Sequence, residues 1–148
     1  MVFLQRTRSR IMAKKHTGQC ACGAVKFEFE TDPTFIADCY CKDCQKAGGG
    51  AMATFFAIPE SDFTLLSGTP KAFHYTAQSG NGLDRNFCPE CGARLFTSNL
   101  AGFPKTVFVT IGSLDNSDGI APILEMFTKR RLKWTQHLDV PQFTDMPG

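Results

Sequence analysis

The sequence predicts an all-β domain, and three observations carry that prediction. Apolar residues alternate with polar ones over short runs. Glycine, proline and aspartate interrupt those runs at frequent intervals. No stretch of ten residues shows a clean 3.6-residue apolar period. The chain has 148 residues, 43% apolar and 20% charged, which is the size and balance of one globular domain. No run approaches the roughly 18 apolar residues of a membrane span, so no membrane partner is expected.

Taken in order, residues 16–30 end in an alternation with Val25, Phe27 and Phe29 on one face and Lys26, Glu28 and Glu30 on the other. That is a half-buried strand. Asp32-Pro33 makes a turn, and "TFIADCYC" reads as a second extended run. "KAGGGA" reads as a flexible glycine loop. "AMATFFAI" is a buried strand, with Phe55 and Phe56 expected in the core, and Pro59 to Asp62 is a turn. "FTLLSG" and "KAFHYTA" are two strands about Gly68-Thr69-Pro70, and Asn81-Gly82 carries hairpin chemistry. "LDRNFCPECGARLFTS" reads as strand, knuckle, strand. "KTVFVTIGSL" and "PILEMF" are the last strands, and "TKRRLKWTQH" is a single turn or an extended tail. The domain is expected over 16–140, between a basic tail at 1–15 and a C-terminal tail at 141–148.

Charge is unevenly distributed. The net charge is +2, yet Arg6, Arg8, Arg10, Lys14 and Lys15 fall within the first fifteen residues, leaving 11 basic against 14 acidic groups elsewhere. A disordered tail is expected there, with organelle targeting or a nucleic-acid arm as the alternatives. The acidic body does not suggest a nucleic-acid surface. The first residues carry no apolar h-region, so a cytoplasmic chain with reduced thiols is expected. The sequence gives no signal for oligomeric state.

Seven cysteines in such a chain point to metal rather than to a disulfide framework. "CPECG" at Cys88–Gly92 is a zinc-knuckle turn, supplying two thiolates from Cys88 and Cys91. A redox reading of the same C-x-x-C lacks its usual helix in a βαβ unit. Cys20 and Cys22, at i and i+2 of an extended strand, would face one metal and complete a closed, structural four-cysteine site. Cys39, Cys41 and Cys44 then remain. Three protein ligands with one position open is the coordination pattern of catalytic zinc. Two other arrangements stay open: closure of the three-cysteine site by His16, His74 or His137, and a pairing of Cys41 and Cys44 with the knuckle.

The segments "GQCACGAVKFEF", "CYCKDCQKAGG" and "FCPECGARLF", with the later "GSLD" and "KRRLKW", resemble the glutathione-dependent formaldehyde-activating enzyme family, which includes centromere protein V. The resemblance covers about residues 16–135. It implies a β-tent of stacked short antiparallel sheets. It implies structural zinc on Cys20, Cys22, Cys88 and Cys91, and a second zinc on Cys39, Cys41 and Cys44. The implied activity is a carbon–sulfur lyase reaction, S-(hydroxymethyl)glutathione synthesis, with glutathione as the small thiol partner. The chain departs from the family by Tyr40, where members often carry His.

Substrate-binding candidates are Lys46, to attract a carboxylate, and Gly48, Gly49 and Gly50, to let a ligand approach backbone N–H groups. A solvated lysine and a simple turn explain the same residues. Arg130, Arg131 and Trp134 form a candidate anion patch, against a packed tryptophan with a solvated basic flank. Asp43 and Glu60 are acid–base candidates. An enzyme is expected. The alternatives are a zinc-stapled thiol-binding or protein-interaction module without catalysis, and a purely structural two-zinc domain.

Overall fold

The computed structural model describes residues 14–147; Arg6, Arg8, Arg10 and the rest of the basic run before Lys14 lie outside them. Among the described residues, ten strands form two sheets. Strands β1 (His16–Gln19), β2 (Lys26–Phe29) and β5 (Thr64–Ser67) make a small antiparallel sheet in the order β1-β2-β5. The others are β3 (Thr34–Cys39), β4 (Ala53–Pro59), β6 (Lys71–Thr76), β7 (Gly82–Phe87), β8 (Arg94–Ser98), β9 (Thr106–Thr110) and β10 (Leu124–Met126). They make a seven-stranded sheet in the order β10-β3-β4-β9-β8-β7-β6. All its pairings are antiparallel except β10 with β3, which run parallel. The all-β expectation of stacked short sheets is met, with that one parallel edge as the exception.

The small sheet covers one face of the large one. Phe27 and Phe29, from the alternating run of β2, are 0% and 1% exposed, and they pack with Phe56, Ile58, Leu95, Val107 and Val109. The Phe29 and Phe56 rings lie 5.5 Å apart. Each such buried side chain contributes about 1.5–3 kcal/mol, so this interface supplies most of the driving force for stacking. Polar ties fix its edges. The Asp62 carboxylate accepts from the backbone N–H groups of Glu30 and Thr31, at 3.1 and 2.7 Å, and Thr17 donates to Asp115 at 2.8 Å.

The opposite face of the large sheet is not covered by strands. Cross-strand pairing puts Cys39 beside Ala53, Ala37 beside Phe55, Phe55 beside Thr110, Phe108 beside Thr97, and Thr97 beside Arg85. This face carries a second apolar cluster of Ala37, Cys39, Cys44, Ala53 and Met126, with Phe35, Phe55 and Phe143 packed against it. Phe143 belongs to a C-terminal run whose backbone bonds to Glu125 and Thr128, so this run lies along β10.

Three local expectations change. "KAGGGA" does not begin a loop, because Lys46, Ala47 and Gly48 end a seven-residue helix, α1 (Lys42–Gly48). Cys41 caps it, its sulfur accepting from the Cys44 N–H at 3.3 Å, and Gly49 closes it by donating to the Gln45 carbonyl at 2.8 Å. About two turns are too short to show a period, so the sequence pattern carries no sign of it. Cys20 and Cys22 are not on a strand: β1 ends at Gln19, and "CACG" is a turn. Phe55 faces the open side rather than the main core, while Phe56 is fully buried.

Candidate metal centres and cavity

The first cluster is built from two turns, one C-x-C and one C-x-x-C, that end alike. In both, the second cysteine is followed by a glycine with left-handed backbone, Gly23 at φ 80° and Gly92 at φ 77°. That conformation folds each turn back: Gly23 donates to the Cys20 carbonyl, and Gly92 to the Cys88 carbonyl at 2.8 Å. The four sulfurs all lie within 4.8 Å of one another, with Cys20 and Cys22 Sγ 3.6 Å apart and Cys22 and Cys88 Sγ 3.8 Å apart. Zinc–sulfur bonds of about 2.3 Å in a tetrahedron require sulfur separations of about 3.8 Å, so these residues fit zinc. The Val25 N–H donates to Cys20 Sγ at 3.2 Å, and that hydrogen bond is the main cause lowering its pKa to about 6. A thiol so disposed is ready to ligate at neutral pH.

The second cluster stands where β3 meets α1. Cys39, Cys41 and Cys44 Sγ also lie within 4.8 Å of one another, and no imidazole or carboxylate joins them among the described residues. Three soft donors at this spacing fit zinc, with one position left for a further ligand. Hydrogen bonds from the Cys39 and Cys44 thiols and from the N–H groups of Cys44 and Asp43 lower the Cys41 thiol to about 2. Cys39 is pushed up by the same neighbours and by burial. The three histidines are engaged elsewhere: His16 at Asp32, His74 at Asp84 and His137 at the Leu138 carbonyl. Cys41 and Cys44 do not join the knuckle.

Tyr40 sits between two ligands yet points to the other side of β3. It is 1% exposed, its hydroxyl donates to Glu125 Oε2 at 2.5 Å, and the Arg131 guanidinium lies 4.8 Å over its ring. Burial and the bond to Glu125 raise the phenol to about 12. Burial alone would raise the Glu125 carboxyl. Donors from Tyr40, Gln142 and the Leu138 N–H, with Arg131 nearby, hold it below the ordinary range instead. This network joins β3, β10 and the C-terminal run behind the second cluster.

The second cluster opens into a cavity of about 410 Å³. Its apolar wall comes from Phe35, Phe55, Phe103, Phe108, Met126 and Phe127, and its cations are Lys42, Arg85, Arg94, Lys129 and Arg130. Asp43 lines it too, accepting from the Tyr75 hydroxyl and from the Gln78 N–H at 3.3 Å. Gln45 ties the mouth together, donating to the Tyr40 carbonyl at 2.8 Å and the Arg130 carbonyl at 3.0 Å. Arg94 Nε is buried without a partner, and the Cys44 thiol lies beside its guanidinium.

The sequence candidates divide accordingly. Asp43 and Arg130 reach the cavity; Lys46, Gly48, Gly49, Gly50 and Glu60 do not line it. Lys46 is exposed, and Arg131 is committed to Glu125 and Tyr40. Trp134 is 76% exposed rather than packed. Arg85, Arg94 and Lys42 were not singled out from sequence. They come from β7, β8 and α1, and no local motif marks their convergence.

Residues 15–130 match the family described as glutathione-dependent formaldehyde-activating enzyme. Among solved structures, the chain is similar to a Rhodobacter sphaeroides protein determined by crystallography. The identity is 24%, the TM-score 0.55, and the match covers 72% of this chain and 91% of that one. That likeness supports the fold. No helix among the described residues is long and apolar enough to cross a membrane. With the family match spanning most of the chain and both cysteine clusters assembled within it, this protein belongs to the glutathione-dependent formaldehyde-activating enzyme family.

Proposed function

We propose that the chain is a zinc-dependent carbon–sulfur lyase-type enzyme that joins glutathione to formaldehyde as S-(hydroxymethyl)glutathione. The observation that carries this reading is the three-cysteine cluster at the wall of a cavity supplied with cations. Cys39, Cys41 and Cys44 would hold the second zinc, and Cys20, Cys22, Cys88 and Cys91 a structural one. Zinc at the second site would supply a soft Lewis-acid position that favours a thiol as its thiolate.

The chain's own residues do the rest. Lys42, Lys129 and Arg130 attract the carboxylates of glutathione, in place of the exposed Lys46. The thiol sulfur attacks the carbonyl carbon: a carbon–sulfur bond forms, and the π pair moves to oxygen. Arg94 offers positive charge to that oxygen. Asp43, hydrogen-bonded to Tyr75, passes that oxygen a proton from solvent, equal to the one the thiol releases on binding, so atoms and charge balance without a redox partner. The apolar wall excludes water from the reacting carbon.

Cobalt-substituted protein tests the reading. Glutathione shifts the cobalt spectrum of the second site and releases close to one proton near neutral pH, because the free thiol is mostly protonated there. S-methylglutathione shifts it far less. Formaldehyde is then consumed faster than with glutathione alone. Binding without turnover would leave a thiol-binding module. Equal spectra with both glutathione forms would remove the sulfur–metal contact from the reading.

A further inference from the structure

The cavity is more aromatic than a one-carbon carbonyl requires. Glutathione shares the cavity of about 410 Å³ with the carbonyl, so it is the aromatic lining, more than the volume, that a one-carbon partner leaves unused. Glutathione's carboxylates account for the cations, but nothing in glutathione or formaldehyde accounts for the floor. That floor is centred on Phe108. Phe35, Phe55 and Phe103 surround it edge-on, with ring centroids 6.5, 5.6 and 5.3 Å away and interplanar angles of 77°, 88° and 81°. Edge-to-face rings at this spacing form a preorganised apolar seat. Cross-strand pairing keeps it continuous with the thiols: Cys39 neighbours Ala53, and two residues along, Phe55 neighbours Ala37 on the same face.

Backbone strain gathers at the same place. Among the described residues, four non-glycine positions adopt left-handed backbone, and two of them are Phe35 at φ 47° and Phe127 at φ 56°. Both line the cavity. Bulky side chains are disfavoured in this region, and such residues persist where the surroundings hold them, most often at ligand sites. At Phe35 the strain coincides with a register shift in β3 between Thr34 and Ala37.

We infer that the carbonyl partner of this enzyme carries an apolar body of benzyl to hexyl size, seated on the Phe108 floor beside the three-cysteine cluster. The inference rests on the thiol-adduct reading above and names the substrate class within it. The chemistry is unchanged: thiol sulfur adds to an aldehyde carbon, and the oxygen takes up one proton in place of the one the thiol released on binding. The apolar body leaves water as the bond forms.

The test reads binding separately from turnover. With zinc-loaded full-length protein, calorimetry compares S-benzylglutathione and S-hexylglutathione with S-methylglutathione. All three lack a free thiol, so the comparison reports the floor rather than metal–thiolate contact. The larger conjugates bind roughly tenfold to a hundredfold tighter, as burial of a phenyl-sized surface requires. Phe108→Ala removes most of that gain. Phe103→Ala, at the 37% exposed edge of the cluster and of little consequence for folding, lowers it by a smaller factor. In turnover with glutathione, benzaldehyde and hexanal show kcat/KM above that of formaldehyde. Equal affinities for the three conjugates, or a gain untouched by both variants, would overturn the inference even if formaldehyde were turned over. A persistent benzyl gain without a cobalt response to glutathione would instead retain the floor and remove the thiol-ligation reading.

Discussion

The two cysteine clusters invert a common intuition about structural and reactive sites. In the four-cysteine cluster Cys20 and Cys88 are buried but Cys22 and Cys91 are exposed to solvent, whereas in the three-cysteine cluster Cys39 and Cys44 are buried and Cys41 is half-buried. The reactive candidate is therefore the one of the two with no fully exposed thiol. What separates them is the donor count and what lies on the remaining side. Four sulfurs from two turns close on each other at the edge of the core, holding the entry to β2 against the turn before β8. Three sulfurs leave a side uncovered, and that side faces a cavity.

The largest way to break the comparison is Cys88→Ser. Cys88 is fully buried in the main core, and its site ties together segments almost seventy residues apart. Metal binding at such a cage contributes folding free energy, on the order of 10 kcal/mol in small zinc domains. The variant is expected to unfold or aggregate, as read by circular dichroism and metal analysis. A folded, stable Cys88→Ser protein retaining two zinc ions would show that this cage is not structural.

Next in size is Glu125→Ala. The change leaves Arg131 charged and the buried Tyr40 hydroxyl without its acceptor. Breaking a buried pair from one side costs about 3–5 kcal/mol, so the melting temperature falls sharply while the four-cysteine site keeps its zinc. The wild-type pH dependence carries the same signature. The Glu125 carboxyl is held below its usual range, so its contribution is present above the unfolded pKa of about 4.3 and is lost as pH falls through the folded value. Urea midpoints between about pH 3 and 6 fall with acid, and Glu125→Gln flattens that slope. An unchanged slope would mean other carboxylates govern acid unfolding.

These two variants also mark how far sequence reading reached. The division of seven cysteines into four and three followed from count and spacing, because a knuckle announces itself locally in Cys88-Pro89-Glu90-Cys91-Gly92. The strand of Val25, Phe27 and Phe29 followed from alternation, because one face is buried and the other is not. The turn at Cys20–Gly23 was read as a strand, since either geometry brings sulfurs at i and i+2 together. Tyr40 and Glu125 are 85 residues apart, and only the parallel pairing of β10 with β3 makes them partners. The cavity cations and the phenylalanines about Phe108 are likewise gathered by sheet register, which no local pattern encodes.

Cys41→Ser sharpens the contrast between the clusters with a smaller effect on folding. Serine is a good helix N-cap, so its hydroxyl replaces the sulfur as acceptor for the Cys44 N–H and α1 is retained. The protein is expected to remain folded, with a melting temperature within a few degrees of the parent, and to lose one of two zinc ions along with activity. If thermal melts showed Cys41→Ser and Cys88→Ser equally damaged, the division into a structural and a reactive site would fail.

The smallest expected effect separates two lysines on one helix. Lys42 lines the cavity, with its ammonium bonded to Gln45 Oε1 at 2.9 Å, whereas Lys46, one turn further along, does not reach the cavity. Both are exposed, so neither contributes much: a surface charge interaction is worth up to about 1 kcal/mol, a factor of about five in affinity. Lys42→Ala is therefore expected to raise the dissociation constant for glutathione by roughly two- to fivefold, and more at low salt than at high, since exposed charges are screened over about 10 Å at 0.1 M. Lys46→Ala is expected to change it by less than about twofold at either salt, within what a solvated surface charge contributes. Calorimetry at two ionic strengths reads both. A larger effect at Lys46 than at Lys42 would move the carboxylate contact out of the cavity and onto the outer end of α1. The thiol would then have to approach the three-cysteine cluster from the helix side rather than through the aromatic wall.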